Sequence, residues 1–364
     1  MLKQGFLSCC IHVGMHKTGT TSVQETFAHA PQGRVRAFPW PPNHSARLAT
    51  LYEDDPWRIR NHRLLNRSRA EVAQLQAGFR ENLRNVLAQW RRHPGISTVL
   101  FSGEQISQIG FFGPPALGRM RDELSEFCDE IRLIGYLRAP RSFVASDFQQ
   151  VLKMGGPARF EFDRYWPHYR ARFERMDEVF GRDAVVLRKF DPAGFVGGDV
   201  VLDLAEFVAW PTAGLHIVRS NEGIGLEAMA LLYAIRRAGY GEGGGKLKAT
   251  TLSMWMSDVL SPISRRKLVL APGLLDGLML RHSADLAWAE ARLGASLEER
   301  EPTGADVIRS ERDLLDIAAE MRGAIDGLDF AGPPEDAPFR EDFPDISPGT
   351  LRRWVEEGLT ASMV

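Results

Sequence analysis

Residues 11 to 24 read Ile-His-Val-Gly-Met-His-Lys-Thr-Gly-Thr-Thr-Ser-Val-Gln, and their order suits the binding of a phosphate. An apolar run from Leu7 to Val13 has strand character, a short loop rich in Gly, Lys and Thr follows, and a helix-compatible run starts at Thr20. The backbone N–H groups of such a loop, and the helix N-terminus behind it, present partial positive charge to an anion. Lys17 adds a full charge and the threonine hydroxyls add donors. The common nucleotide-binding loop is G-x-x-x-x-G-K-[ST], with lysine directly after the second glycine and a hydroxyl on Mg²⁺. Here Gly14 and Gly19 keep that spacing, but Thr20 and Thr21 follow them, and the lysine lies inside the loop at position 17. From there it reaches the end of a bound phosphate group from a different side. The pattern argues for a phosphate-containing donor and against ordinary Mg-dependent ATP hydrolysis.

Two further groups stand just past apolar runs. Glu130 to Leu137 reads as a strand and ends at Arg138-Ala139-Pro140-Arg141. An arginine fork at a strand end suits bidentate phosphate contact. Ser146 falls in the helix that follows, with a hydroxyl to donate, and Pro140 near its start has the fixed φ a first helical turn wants. Thr98 to Ser102 reads as a short buried strand, and Gly103-Glu104 follows its end. Glu104 is therefore a candidate general base.

These residues resemble the sulfotransferase superfamily. Its 5′-phosphosulfate loop reads [PH]-K-[ST]-G-T-[ST], which His16-Lys17-Thr18-Gly19-Thr20-Thr21 matches throughout, in the form of the bacterial sulfotransferase-like branch. Its 3′-phosphate motif, R-x-P-x-x-x-x-x-S, matches Arg138 to Ser146. The resemblance covers about residues 7–210 and implies 3′-phosphoadenosine 5′-phosphosulfate as donor, bound by Gly14, Lys17, Thr18, Gly19, Thr20, Thr21, Arg138 and Ser146. It implies that Lys17 neutralises the bridging oxygen as the nucleotide leaves. Ser102-Gly103-Glu104 resembles the Ser-Ser-Glu of relatives, which makes Glu104 the first candidate for the base. His16 is the next, at a loop position where many relatives carry proline. Val185 to Asp203 resembles a later block of bacterial relatives and reads as architecture. Arg219-Ser220-Asn221 stands where relatives close over the nucleotide, although Asn221 also reads as a helix N-cap.

The elements that must position these groups alternate. Strands at Leu7–Val13, Thr98–Ser102, Glu130–Leu137 and Ala184–Arg188 are separated by helices predicted at Arg69–Arg92, Leu117–Cys128, Ser142–Leu152 and Glu161–Phe180, and Asp199–Val208 is a further helix. This is the signature of an α/β fold, a P-loop-type parallel sheet flanked by helices. Right-handed crossovers place the strand C-terminal ends along one edge, where loop 14–21, Glu104 and Arg138 converge. Residues 31–66 read as a long excursion lining an acceptor site. Residues 1–220 form the expected nucleotide-binding core. Residues 221–364 form a helical C-terminal extension, with helices at 222–238, 250–260, 274–293, 305–326 and 348–359, a Gly-rich loop at 239–245 and an irregular stretch at 331–349.

The chain has 364 residues, 44% hydrophobic and 25% charged, with a formal net charge of −2. That charge offers no global basic field for nucleic acid. No signal peptide and no apolar run of ~18 residues is present, so no membrane span is expected. Three cysteines make no disulfide framework, and a cytoplasmic protein is expected, with Cys9 and Cys10 in the buried first strand. No His/Cys cluster has metal-ligand spacing, so no metal is expected. His12 reads as structural, and His44, His62 and His168 lie in possible acceptor-lining segments. The expected partner is a glycan or small-molecule acceptor with a hydroxyl or amine. The alternatives are a P-loop kinase-like phosphotransferase, which wants a lysine after Gly19 and a Mg²⁺-binding aspartate, and a non-catalytic nucleotide-binding protein of the same fold.

Overall fold

β1 (Ser8–Gly14) lies in the middle of a five-stranded sheet, and its composition explains the position. From Cys9 to Gly14 every residue is buried, as a central parallel strand covered on both faces requires. The computed structural model describes residues 5–219, 224–240, 246–263, 266–299, 307–330 and 346–361. In chain order β1 is followed by α1 (Thr20–His29), β2 (Val35–Ala37), α2 (Ser45–Tyr52), α3 (Arg60–Leu64), α4 (Arg69–Arg92), β3 (Thr98–Ser102), α5 (Pro114–Ser125), β4 (Glu130–Leu137), α6 (Pro140–Lys153), α7 (Tyr169–Phe180), β5 (Val185–Lys189) and α8 (Val200–Phe207). The sheet order is β2-β3-β1-β4-β5, and every neighbouring pair is parallel. β3 and β4 flank β1 on opposite sides, so the connections diverge at the end of β1. In open α/β sheets ligands bind at that switch point.

The chain forms two compact units, neither of them a single run of sequence. The first comprises residues 1–139, 168–221 and 284–297 and contains the whole sheet. One face of the sheet is covered by α1 and α8, where Val23, Phe27, Leu100, Ile134, Tyr136, Val201, Leu204 and Trp210 make a continuous core. Phe38, Trp40, Trp90 and Phe101 form a second aromatic group, with Phe38 stacked on Phe101 at 4.7 Å. The second unit comprises residues 140–167, 222–283 and 298–364. It is built on α9 (Leu226–Arg237), which is buried from Leu226 to Arg236. Around it are α10 (Lys246–Leu260), β6 (Val269–Leu270), α11 (Pro272–Arg281), β7 (Val307–Ile308), α13 (Glu311–Met321) and α14 (Pro348–Thr360), while α12 (Ser283–Leu293) leads back into the first unit. α14 approaches α9 so closely that a Cβ on Gly358 would lie 1.8 Å from the Ala234 carbonyl oxygen. Phe148, Phe160, Phe162, Tyr165 and Tyr233 make the aromatic core of this unit.

Several predicted elements are corrected by the structure. Residues 31–66, the long excursion after α1, contain an edge strand, β2, and two helices, α2 and α3. The helix expected at Glu161–Phe180 begins only at Tyr169. Pro167 has no N–H to give, and His168 takes a left-handed φ of 50°. The helix expected at 274–293 is two, broken at His282. The one expected at 305–326 gives way to β7 and to α13, which Ser310 caps through the Asp313 amide. The N-cap expected at Asn221, most of the Gly-rich stretch and residues 331–345 lie outside the described residues. No helix among the described residues is long and apolar enough to cross a membrane, and Cys9, Cys10 and Cys128 are buried free thiols.

A polar triad, with Tyr136 and Asp203 buried and Arg188 half-buried, ties the sheet to α8. Asp203 accepts from the Tyr136 hydroxyl at 2.7 Å and pairs with Arg188 at 2.7 Å. Removing the carboxylate strands the buried Tyr136 hydroxyl, so Asp203→Ala should cost about 1–3 kcal/mol of stability in urea denaturation. A loss below about 0.5 kcal/mol, the range of neutral surface changes, would show that the triad is not structural.

Candidate functional site

The loop between β1 and α1 turns through three left-handed residues, Gly14 (φ 71°), Lys17 (φ 67°) and Gly19 (φ 73°). The glycines are there for different reasons. A Cβ on Gly14 would lie 3.0 Å from the Cα and Cβ of Glu104, so the strand end is pressed against the backbone of the residue proposed as base. A Cβ on Gly19 would lie 2.8 Å from Val200 of α8, so the start of α1 can pack only without a side chain. Lys17 has no such freedom, and a lysine held in this region carries a conformational cost of about 1–2 kcal/mol. Such strain collects at ligand-binding sites.

The hydroxyls of Thr18 and Thr20 both turn inward. Each donates to the Met15 carbonyl, at 2.6 and 3.2 Å, and both side chains are buried. These bonds stitch the loop closed. Thr21 and Ser22 are half-buried in the first turn of α1, which has no acidic residue to oppose an anion.

β3 delivers Glu104. Gly103 donates its N–H to the His12 carbonyl at 2.9 Å, and the chain then closes a single 3-10 turn, Glu104–Ser107. The turn is pinned from several sides. Ser107 donates its hydroxyl to the Glu104 carbonyl, and the Ser45 hydroxyl at the start of α2 accepts from the Gln105 amide. From α7, Arg172 donates to the Ser107 carbonyl at 3.2 Å, and Arg175 donates to those of Ile106 and Gln108 at 3.1 and 3.0 Å. Two arginines thus hold three consecutive carbonyls. Burial lowers the Arg175 guanidinium to about 10, with Arg172 adding to the effect.

Glu104 and His16 face each other, with His16 Nε2 3.8 Å from Glu104 Oε1. Burial raises the Glu104 carboxyl above its ordinary range, opposed only by the Lys17 ammonium. His16 is lowered to about 4, first by desolvation and then by the charges of Arg172 and Lys17. Near neutrality the imidazole is therefore uncharged. His12 lies under the loop, fully buried, with Nδ1 2.8 Å from the Ser102 hydroxyl, and desolvation holds it near 3. His44 accepts from the Ser102 amide and is also held low, at about 4, by burial.

β4 delivers Arg138. Its Nη1 donates to the Lys17 carbonyl at 2.9 Å, its guanidinium lies 5.9 Å from the centre of the Phe190 ring, and its own carbonyl accepts from the buried Tyr169 hydroxyl at 2.6 Å. Gly14, His16, Lys17, Thr18, Gly19, Thr20, Thr21, Glu104 and Arg138 all belong to the first unit and stand at the switch point. Ser146 is half-buried on α6 in the second unit. At the start of that helix the Glu299 carboxylate accepts from the amides of Arg141 and Ser142, at 2.9 and 3.1 Å. Tyr169, Arg172 and Arg175 escaped the sequence reading because the run before α7 read as one long helix. The clustering of arginine in Tyr-Arg-Ala-Arg-Phe-Glu-Arg was the signal present.

The arrangement offers a strained loop with a cation, a carboxylate of raised proton affinity, and a guanidinium at the neighbouring strand end. Among the described residues no three His, Cys, Asp or Glu side chains gather as a metal-ligand set. No protein-family model matches the chain, and no curated protein matches it. Among solved structures, a crystal structure of a sulfotransferase from Alicyclobacillus acidocaldarius aligns over 79% of this chain and 96% of its own, with 15% sequence identity and a TM-score of 0.42. That likeness is too distant to carry fold or function, and the α/β class rests on the parallel sheet itself.

Proposed function

We propose that the protein is a sulfotransferase that moves a sulfuryl group from 3′-phosphoadenosine 5′-phosphosulfate to a hydroxyl or amine of a carbohydrate or small molecule. The observation that carries this reading is the position of Lys17. It sits inside the strained loop, with Glu104 pressed against Gly14 on one side and Arg138 bonded to the Lys17 carbonyl on the other. Sulfuryl transfer asks for in-line placement and for charge stabilisation on the leaving oxygen.

In the reaction the acceptor oxygen or nitrogen forms a bond to sulfur as the bond from sulfur to the bridging oxygen breaks. The electron pair stays on that oxygen, leaving adenosine 3′,5′-bisphosphate. Lys17 meets the charge that develops there. Glu104 takes the proton of the acceptor, and burial suits it to the task by raising its affinity for a proton. The neutral His16 ring, 3.8 Å away, does not compete for the proton. Arg138 serves the 3′-phosphate, and by the motif alone Ser146 shares that role.

Thermal shift with adenosine 3′,5′-bisphosphate against ATP–Mg tests the nucleotide assignment. At ligand a hundredfold above its Kd, stabilisation should reach about 2.7 kcal/mol. A preference for ATP–Mg would favour the kinase-like reading. Stabilisation by the bisphosphate without transfer to any acceptor pool would favour a binding protein.

The role of Glu104 predicts a pH dependence. The base must be ionised, so kcat/KM should rise with pH through its raised value, above the ordinary carboxylate range of about 4.3, and then flatten. Glu104→Gln should abolish that limb and lower the rate by about 10²–10⁴-fold. The same substitution should raise thermal stability near neutrality, because the ionised, partly desolvated carboxylate is a cost above its folded pKa that vanishes below about pH 4. An unchanged acid limb in the variant would remove Glu104 from the mechanism.

A further inference from the structure

We infer that Arg138, seated by Tyr169, is a positioning residue for Lys17, so that one guanidinium couples the two phosphate ends of the donor. This rests on the sulfotransferase reading for the ligand, but not for the contact. Three observations carry it. Lys17 is left-handed, a conformation that a lysine keeps only where its surroundings impose it. The Lys17 carbonyl accepts from Arg138 Nη1 at 2.9 Å, a charge-assisted bond reaching from the end of β4 to the loop after β1. Arg138 is itself fixed: its carbonyl accepts from the Tyr169 hydroxyl at 2.6 Å, and that tyrosine is fully buried, with its amide donating to Asp285 at 2.9 Å.

The chain of contacts therefore runs from α7 through the strand end to the loop lysine. The family motif gives Arg138 to the 3′-phosphate alone. In this structure the same side chain also sets the backbone of the residue that must meet the leaving oxygen at the 5′ end. A phosphate that engages Arg138 then acts on Lys17 through a single guanidinium, and Tyr169 influences both ends without touching either.

The test compares wild type, Arg138→Met and Tyr169→Phe by titration calorimetry with adenosine 3′,5′-bisphosphate and with adenosine 5′-monophosphate. Amide hydrogen exchange of the ligand-free proteins over the loop is measured alongside. If Arg138 positions Lys17, Arg138→Met weakens binding of the 5′-monophosphate by about tenfold as well as that of the bisphosphate. Both variants speed exchange at residues 15–20 while leaving the central strand protected. Tyr169→Phe keeps the ring and fills the same space, so its faster exchange is confined to the loop, whereas simple loss of stability would speed exchange in the central strand as well. The inference is overturned if the 5′-monophosphate binds Arg138→Met as it binds wild type and loop exchange is unchanged in both variants. If wild type binds neither nucleotide, the sulfotransferase reading falls, and loop exchange alone decides whether Arg138 holds Lys17.

Discussion

A loop of six residues that turns left-handed three times is the constraint on which the rest of this molecule depends. Such a turn is costly in the open and needs support on every side. β1 supplies a buried central strand beneath it, and α1 starts where Gly19 allows contact with Val200. The Thr18 and Thr20 hydroxyls close the loop on the Met15 carbonyl, and Glu104 packs directly on Gly14. The result is a short segment whose backbone is held by its own neighbours, the kind of preorganisation that lowers the cost of meeting charge in a transition state.

The electrostatics follow from that packing. Desolvation pushes Glu104 toward its protonated form and His16 toward its neutral form, and Lys17 and Arg172 reinforce the latter. The site thus sets a carboxylate with raised proton affinity beside an uncharged imidazole, and under the proposed function proton removal falls to the first and charge stabilisation to Lys17. The arginines of α7 do something different. They bind carbonyls of the turn that carries Glu104 and so fix its direction, a positioning role that a surface ion pair could not fill.

Much of this was legible in the sequence because it is local. The strands Thr98–Ser102 and Glu130–Leu137 and the helix Arg69–Arg92 follow from apolar runs and periodicity, and each has the bounds expected. Parallel order then required that groups past the ends of β1, β3 and β4 meet. What the sequence could not show depends on side-chain direction and on single residues. The bonds of the Thr18 and Thr20 hydroxyls to the Met15 carbonyl, for example, leave no mark in the sequence. Pro167 with a left-handed His168 delays α7 and so places Tyr169 and the arginines, which periodicity had folded into one helix. β2 is three residues long in a Pro-rich stretch and carries almost no pattern of its own.

The central claim is that Lys17 stabilises the oxygen that departs from sulfur. Its most direct test follows the label from ³⁵S-labelled 3′-phosphoadenosine 5′-phosphosulfate into a pool of hydroxyl and amine acceptors, for wild type and Lys17→Ala, with the affinity of each for adenosine 3′,5′-bisphosphate measured in parallel. Transfer by wild type, reduced about 10²–10³-fold in the variant while bisphosphate affinity falls far less, is the predicted result. Equal loss of transfer and affinity, or undiminished transfer by the variant, would contradict it.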